Sequence, residues 1–483
     1  MPPNILLITT DEHARETLGC CGAAAVQTPH IDRLAREGVL FRHAYTVSPL
    51  CMPARTALAT GQYPHHNGCL CNGLQSHMRQ DLPNLYRSLQ SAGYTTGHVG
   101  KCHYAPVRYG ETKPHETQPY EREREHYRRL GIDHLDLQDD KQVSVWFMDD
   151  YAKELKDAGL LKAYRDAVWN QEFAKVFLFP GPADWHPDTW VGRKAADYID
   201  AYDSDAPAFL WVSFSGPHYP FDPPEAYLDR VDTAHLGLGR RRAGDLDDPA
   251  KIHHDSYHGG KHGTIDGRSR AAGHACKNYS DEYWAKLRHH YFANVAQIDD
   301  EVGRVVRAAE RRFGDDLLVV FTADHGEMAG NHGLWGKHFC GYDEVMHIPF
   351  IVRMPGTFAD GECDEIASQL DLMPTLLDLA GTEAPARMDG QNLQAVLRDG
   401  GPQYALSTSR YFAAVTDGRY KLIEVNRGDN AWREFYDLES DPHEFDNRAD
   451  DPASAEHVSR LRDQLPDPDT LDHPSDAPSF FDL

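Results

Sequence analysis

Four short apolar runs, each breaking off in polar residues, constrain this chain most: NILLITT (4–10), YTTGHV (94–99), FLWVSFS (209–215) and LLVVF (317–321). They are rich in β-branched and aromatic residues, so each reads as a strand covered on both faces. Helical patterns lie between them. The clearest begins after Ser280, an N-cap followed by Asp281 and Glu282, and repeats apolar residues at Leu287, Tyr291, Val295, Ile298, Val302, Val305 and Ala309 before running into LLVVF. Strands alternating with helices predict an α/β fold, a large and mainly parallel sheet sandwiched by helices.

The pattern changes towards the C-terminus. QLDLMPTLLDLAG (369–381) predicts a helix ending at Gly381, after which RYFAAVTDGRYKLIEV (410–425) alternates on both sides of Asp417-Gly418, a tight-turn dipeptide, and EFYDL (434–438) adds a strand. The expected division is a large α/β domain over 1–390 and a C-terminal subdomain over 391–483 with a small antiparallel sheet and a tail. Residues 222–279 are polar, glycine-rich and without period, and read as an insertion, a mobile loop or lid. Its histidines (His253, His254, His258, His262, His274) are too irregularly spaced to define a metal site. The tail ends in Phe480 and Phe481, which are costly to leave in water; docking on a neighbouring subunit and fraying both stand open. Trp185 and Trp190, in PADWHPDTW (182–190), read as core, with a sugar-stacking wall as the other reading.

Charge narrows the partners. Lys and Arg total 49 against 75 Asp and Glu, and the formal charge of -26 repels phosphate backbones and anionic lipid, so neither nucleic acid nor membrane is an expected partner. No stretch approaches ~20 consecutive apolar residues. The opening MPPNILLITTDE has no basic leader, and the expected location is cytoplasmic. Nine cysteines (Cys20, Cys21, Cys51, Cys69, Cys71, Cys102, Cys276, Cys340, Cys363) form no CxxC pair and read as reduced thiols rather than a disulfide or zinc framework.

In an open α/β sheet, ligands bind beyond the carboxyl ends of the strands. NILLITT is followed by Asp11 and Glu12, and LLVVFTA by Asp324 and His325. This is a hard-to-borderline ligand set suited to Ca²⁺, Mg²⁺ or Mn²⁺, and without a cation it would be self-repelling. Lys101 and His103 follow YTTGHV, His218 follows FLWVSFS, and Lys337 comes thirteen residues after Asp324. With Arg55 these cationic groups would bind a tetrahedral oxyanion. SPLCMPARTALATG (48–61) leaves Cys51 with several readings: a core thiol, a nucleophile, a metal ligand, or the precursor of a modified residue.

Taken together, NILLITTDE, TPHIDRLAREGVLF (28–41), CMPAR, GKCH, GPHYPF, TADHGE, DLMPTLLDLAG and FYDLESDPHE resemble the formylglycine-dependent type I sulfatases of the alkaline phosphatase superfamily, across almost the whole chain. CxPxR followed by ATG is the most specific of these motifs. The resemblance implies a sulfuric ester hydrolase in which a separate maturation enzyme oxidises Cys51 to formylglycine, an aldehyde that hydrates to a geminal diol. One diol oxygen would take the sulfuryl group, giving a covalent sulfo-enzyme intermediate; the other would collapse to the aldehyde and expel sulfate.

By motif position the resemblance implies Asp11, Glu12, Asp324, His325 and residue 51 as ligands of one divalent cation, Ca²⁺ with Mn²⁺ as the alternative. Arg55 would hold the formylglycine, and Lys101 and Lys337 the sulfate oxygens. His103 would orient the diol and act as base for its breakdown; His218, and Lys337 as acid, would serve the leaving-group oxygen. Glu12 stands where many members have Asp, His325 where they have Asn, Met52 where small residues are commoner, and Gln62 where a basic residue often follows. The implied partner is a small-molecule sulfate ester, with a homo-oligomer expected. The alternative is a phosphonate monoester or phosphodiester hydrolase of the same superfamily, against which GKCH argues; a secondary phosphodiesterase activity is expected in either case.

Overall fold

The computed structural model describes residues 2–108, 116–170, 176–259, 275–337, 339–427, 430–474 and 477–482. The expected runs form β1 (Asn4–Asp11), β3 (Thr95–Gly100), β5 (Ala208–Pro217) and β6 (Leu317–Ala323). The sequence reading missed β2 (Val39–Tyr45), β4 (His134–Leu137), β7 (Phe350–Arg353) and β8 (Gly361–Ser368). Two of these are only four residues long, and β8, GECDEIAS, lies at the sheet edge with half its residues exposed, so none shows the unbroken apolar run of a central strand.

The eight strands form one sheet in the order β4-β3-β5-β1-β6-β7-β2-β8. Pairing is parallel except on either side of β7. β1 is central, with Leu7 and Ile8 fully buried, which explains the absence of polar alternation. Helices Pro29–Glu37, Pro187–Asp200 and Asp281–Phe313 pack on one another and on the sheet; Cys51–Thr60, Leu85–Ser91 and Leu372–Leu379 form a second group. The long helix starts as the sequence predicts, with the Ser280 side chain accepting a hydrogen bond from the Tyr283 amide, and buries every residue of its apolar stripe. Among the described residues, no helix is long and apolar enough to cross a membrane.

A second, antiparallel sheet of β9 (Ala405–Ser409), β10 (Phe412–Thr416), β11 (Tyr420–Arg427) and β12 (Asn430–Asp437) follows, with β9 an addition to the expected hairpin and third strand. Lys421 on β11 ties it to the main body. Fully buried, its ammonium lies 2.5 Å from Asp343 and 2.8 Å from Glu444.

Three expectations need revision or refinement. The insertion is not a free loop where it is described: Leu236, Leu246, Lys251 and His253 are buried, and Val231 bridges to Val26. Its polarity misled because much of it is spent internally, as in the 2.6 Å Lys251–Asp245 pair; His262 and His274 lie outside the described residues. The tail packs on its own chain, rather than fraying or waiting for a neighbour. Phe480 is buried with its amide on the Leu74 carbonyl, Arg122 donates to the carbonyls of Phe480 and Phe481, and the Arg108 guanidinium lies 4.1 Å above the Phe481 ring. Trp190 is core, fully buried, and Trp185 packs half-buried against it.

Replacing Lys421 by Met would leave the buried Glu444 carboxylate without its cation, facing the partly exposed Asp343. The expected cost is about 3–5 kcal/mol of unfolding free energy, read as a lower urea midpoint at unchanged slope.

Candidate active site

The carboxyl ends of β1, β3, β5 and β6 converge, and the helix Cys51–Thr60 starts opposite them. CxPxR spacing has a helical logic. Pro53 sits in the first turn, where its missing N–H is not needed by the helix ladder, and Arg55 comes four residues after Cys51, on the same helix face. The Met52 amide, which the helix leaves unpaired, donates to Asn72 Oδ1 at 3.1 Å.

Cys51 Sγ is 1% exposed and stands 3.5 Å from Asp11 Oδ1, 3.3 Å from His325 Nε2 and 2.9 Å from Lys337 Nζ. Burial by itself would raise the thiol pKa, but Lys101, Lys337 and His325 outweigh it and hold the group well below the usual thiol value. Arg55 donates from Nε to Asp324 Oδ2 at 2.8 Å, and from one terminal nitrogen to the Lys101 carbonyl at 2.9 Å and to Ser213 Oγ at 2.6 Å.

The two acidic strand ends brace each other. The Glu12 amide donates to Asp324 Oδ1 at 3.1 Å, the Asp324 amide to the Thr10 carbonyl, and the His13 amide to the His325 carbonyl. Glu12 is held at φ +60 by Tyr291 of the long helix, whose hydroxyl donates to the Glu12 carbonyl at 2.7 Å. Asp11 pairs with Lys101, and its pKa is lowered: burial and Cys51 push it up, while Lys101, His218 and Lys337 pull harder the other way. Glu12 shifts upward, chiefly through burial, with Lys337 opposing and Glu327 and Asp11 reinforcing. Its Oε2 lies 3.2 Å from both Lys337 Nζ and His218 Nε2.

Ligand atoms of Asp11, Cys51, Asp324 and His325 all lie within 4.8 Å of one another, as do those of Asp11, Glu12 and His218. Glu12 Oε1 is buried with no hydrogen-bond partner. An oxygen-rich donor set with a stranded carboxylate oxygen fits a divalent cation. All ten residues singled out from the sequence therefore lie in one neighbourhood, with Glu12 grouped with His218 rather than with the Cys51 set.

A supporting layer escaped sequence reasoning. Asp139 Oδ1 accepts the backbone amides of Cys102 (2.8 Å) and His103 (2.6 Å), while its Oδ2 accepts the hydroxyls of Tyr120 and Tyr127. Asp140 accepts from Lys101 at 2.7 Å. Lys141 reaches Asp222 Oδ1 at 2.8 Å and the Pro220 carbonyl, bracing the loop that carries His218. QDDK (138–141) is itself a strand-end signal, but the strand before it, HLDL, is too short and charged to be recognised. Gly100 has φ +103, and a Cβ there would fall 2.0 Å from the Ser213 carbonyl, so only glycine lets β3 turn Lys101 into the site.

The α/β sheet thus gathers carboxylates and lysines beyond its strand ends, opposite the one thiol at the start of the helix Cys51–Thr60. The family model described as Sulfatase matches residues 3–382, and a second, described as N-sulphoglucosamine sulphohydrolase, C-terminal, matches 330–470. The Escherichia coli K12 protein named "Uncharacterized sulfatase YidJ" is 29% identical over 96% of this chain and 86% of its own length. An arylsulfatase of Clostridium perfringens is 26% identical over 96% and 93%. A phosphonate monoester hydrolase structure from Agrobacterium radiobacter shares the fold with a TM-score of 0.74, at 24% identity over 96% of this chain and 94% of that one. The chain belongs to the sulfatase family and is a hydrolase acting on sulfuric esters.

Asp222 gives a pH test of the brace behind His218. Burial opposes its ionisation, but Lys141 and His186 bring its pKa down to about 2. A folded-state value below the ordinary ~3.9 means the charged form favours folding, so its contribution is full above about pH 4 and lost as pH falls through about 2. Asp222→Asn should cost about 2 kcal/mol at pH 7 in urea unfolding, with the gap from wild type narrowing between pH 4 and pH 2.

Proposed function

We propose that this protein cleaves an organic sulfate ester at residue 51, after oxidation of Cys51 to formylglycine, with one divalent cation, Ca²⁺ or alternatively Mn²⁺, held by Asp11, Asp324, His325 and residue 51 and with Glu12 Oε1 beside them. The observation that carries the reading is the position of Cys51 Sγ, within 3.5 Å of Asp11, His325 and Lys337. When present, the cation and the formylglycine diol supply an oxygen nucleophile activated at neutral pH and a second hydroxyl through which sulfate can leave.

The remaining chemistry belongs to this chain's own side chains. Lys101 and Lys337 neutralise the sulfate oxygens, and Arg55, clamped by Asp324 and Ser213, keeps residue 51 in register with them. His103, whose backbone amide Asp139 Oδ1 fixes just beyond β3, takes the role of removing a proton from the residue 51 side chain. His218 Nε2 and Lys337 Nζ share Glu12, and either can hold a proton on the leaving-group side. Burial of the whole cluster excludes water that would weaken these contacts. A phosphonate monoester is the second reading, since a monoanionic tetrahedral group meets the same cations and His325 gives the site a nitrogen ligand.

Intact-protein mass spectrometry should find a mass about 18 Da below that of the unmodified chain. Cys51→Ala should lower turnover of 4-nitrophenyl sulfate by at least about 1,000-fold while leaving folding and calorimetric Ca²⁺ or Mn²⁺ uptake largely in place. Retained turnover would refute the nucleophile, and a much larger kcat/KM for a phenyl phosphonate ester would reverse the substrate ranking.

A further inference from the structure

Asp140 brings to the site a negative charge that the reaction above does not use. It lies in the wholly buried stretch Gln138-Asp139-Asp140-Lys141 directly after β4. Its Oδ2 accepts from Lys101 Nζ at 2.7 Å and its Oδ1 from the Gln142 amide at 2.7 Å. Burial opposes its ionisation, but Lys101 and then His218 hold its pKa below the ordinary carboxylate value, so it is charged.

Its position is fixed from both sides. Asp139 is locked by two backbone amides and two tyrosine hydroxyls, and Lys141 by Asp222 and the Pro220 carbonyl. Between them Asp140 has φ +145, a backbone conformation that a side-chain-bearing residue keeps only where its surroundings enforce it. Asp140 therefore cannot swing away when an anion arrives at Lys101.

The transferring group of a sulfate ester carries one negative charge, and that of a phosphate monoester carries close to two at neutral pH. A second charge within several ångströms of a buried carboxylate, at an effective dielectric constant of ~20, is disfavoured by roughly ten- to a hundred-fold. We propose that Asp140 is a specificity-determining residue, a fixed carboxylate against Lys101 that admits monoanionic esters and rejects dianionic phosphate monoesters. The inference rests on the function proposed above only in placing the transferring group at Lys101. A monoanionic phosphonate ester would pass the same filter.

The test compares metal-loaded full-length wild type with Asp140→Asn, which keeps the side-chain shape, and with Asp140→Glu, which keeps the charge. The substrates are 4-nitrophenyl sulfate, a phenyl phosphonate ester and 4-nitrophenyl phosphate at about pH 8, where the phosphate is dianionic. Calorimetric binding of phenyl phosphate and phenyl sulfate in a Cys51→Ala background gives the same ratio without turnover. Asp140→Asn should raise the phosphate-to-monoanion ratio by at least about tenfold in kcat/KM and in affinity, with Asp140→Glu within about threefold of wild type.

Equal loss for all substrates in Asp140→Asn, with an unchanged ratio, would mean the residue only braces the fold and would overturn the proposal. If the Asn variant fails to fold by circular dichroism, Asp140→Ser is read in the same way. Wild type that turns over only the phosphonate would sink the sulfate assignment while the ratio test still stands.

Discussion

The 2.8 Å contact between Arg55 Nε and Asp324 Oδ2 is the constraint on which the site depends. It joins the helix that begins at residue 51 to the end of β6, and through the Thr10, Glu12 and His325 backbone contacts to the end of β1. Both partners are about 1% exposed, and a pair so desolvated holds only when its remaining hydrogen-bonding groups are also met. Ser213 and the Lys101 carbonyl meet part of Arg55's need, so the same guanidinium also fastens the ends of β5 and β3.

Around that pair the site is an exercise in buried charge compensation. Asp11, Glu12, Asp324 and Asp140 face Arg55, Lys101, Lys337 and the histidines at distances where each group shifts its neighbours' pKa. Glu12, pushed upward and left with one stranded oxygen, shows the imbalance a cation would relieve. The stretch 139–141 spends three successive charged side chains on three different parts of the site: the His103 backbone, the Lys101 ammonium and the His218 loop.

Much of this was legible in the sequence. Central strands announced themselves because both faces are covered, and the strand-end rule then pointed to Asp11, Glu12, Lys101, His103, His218, Asp324 and His325. What escaped were elements whose signal is local polarity turned inward. Asp139, Asp140 and Lys141 look like a solvated turn in one dimension, and the insertion looks like a loop, because a sequence does not show whether a charged side chain meets water or a partner. Phe480 was noticed as costly to expose, yet its partners Leu74, Arg122 and His126 lie hundreds of residues away.

The sequence by itself determined the α/β class and the ends of the central strands, because hydrophobic periodicity acts over a few residues; the helix that starts at Cys51 came from the structure. Only the tertiary structure decided which charges meet. That Lys101 lies between Asp11 and Asp140, and that Lys337 reaches Cys51 across 286 positions, follows from sheet order and from burial, which strengthens a charge pair only once the chain has excluded water from it.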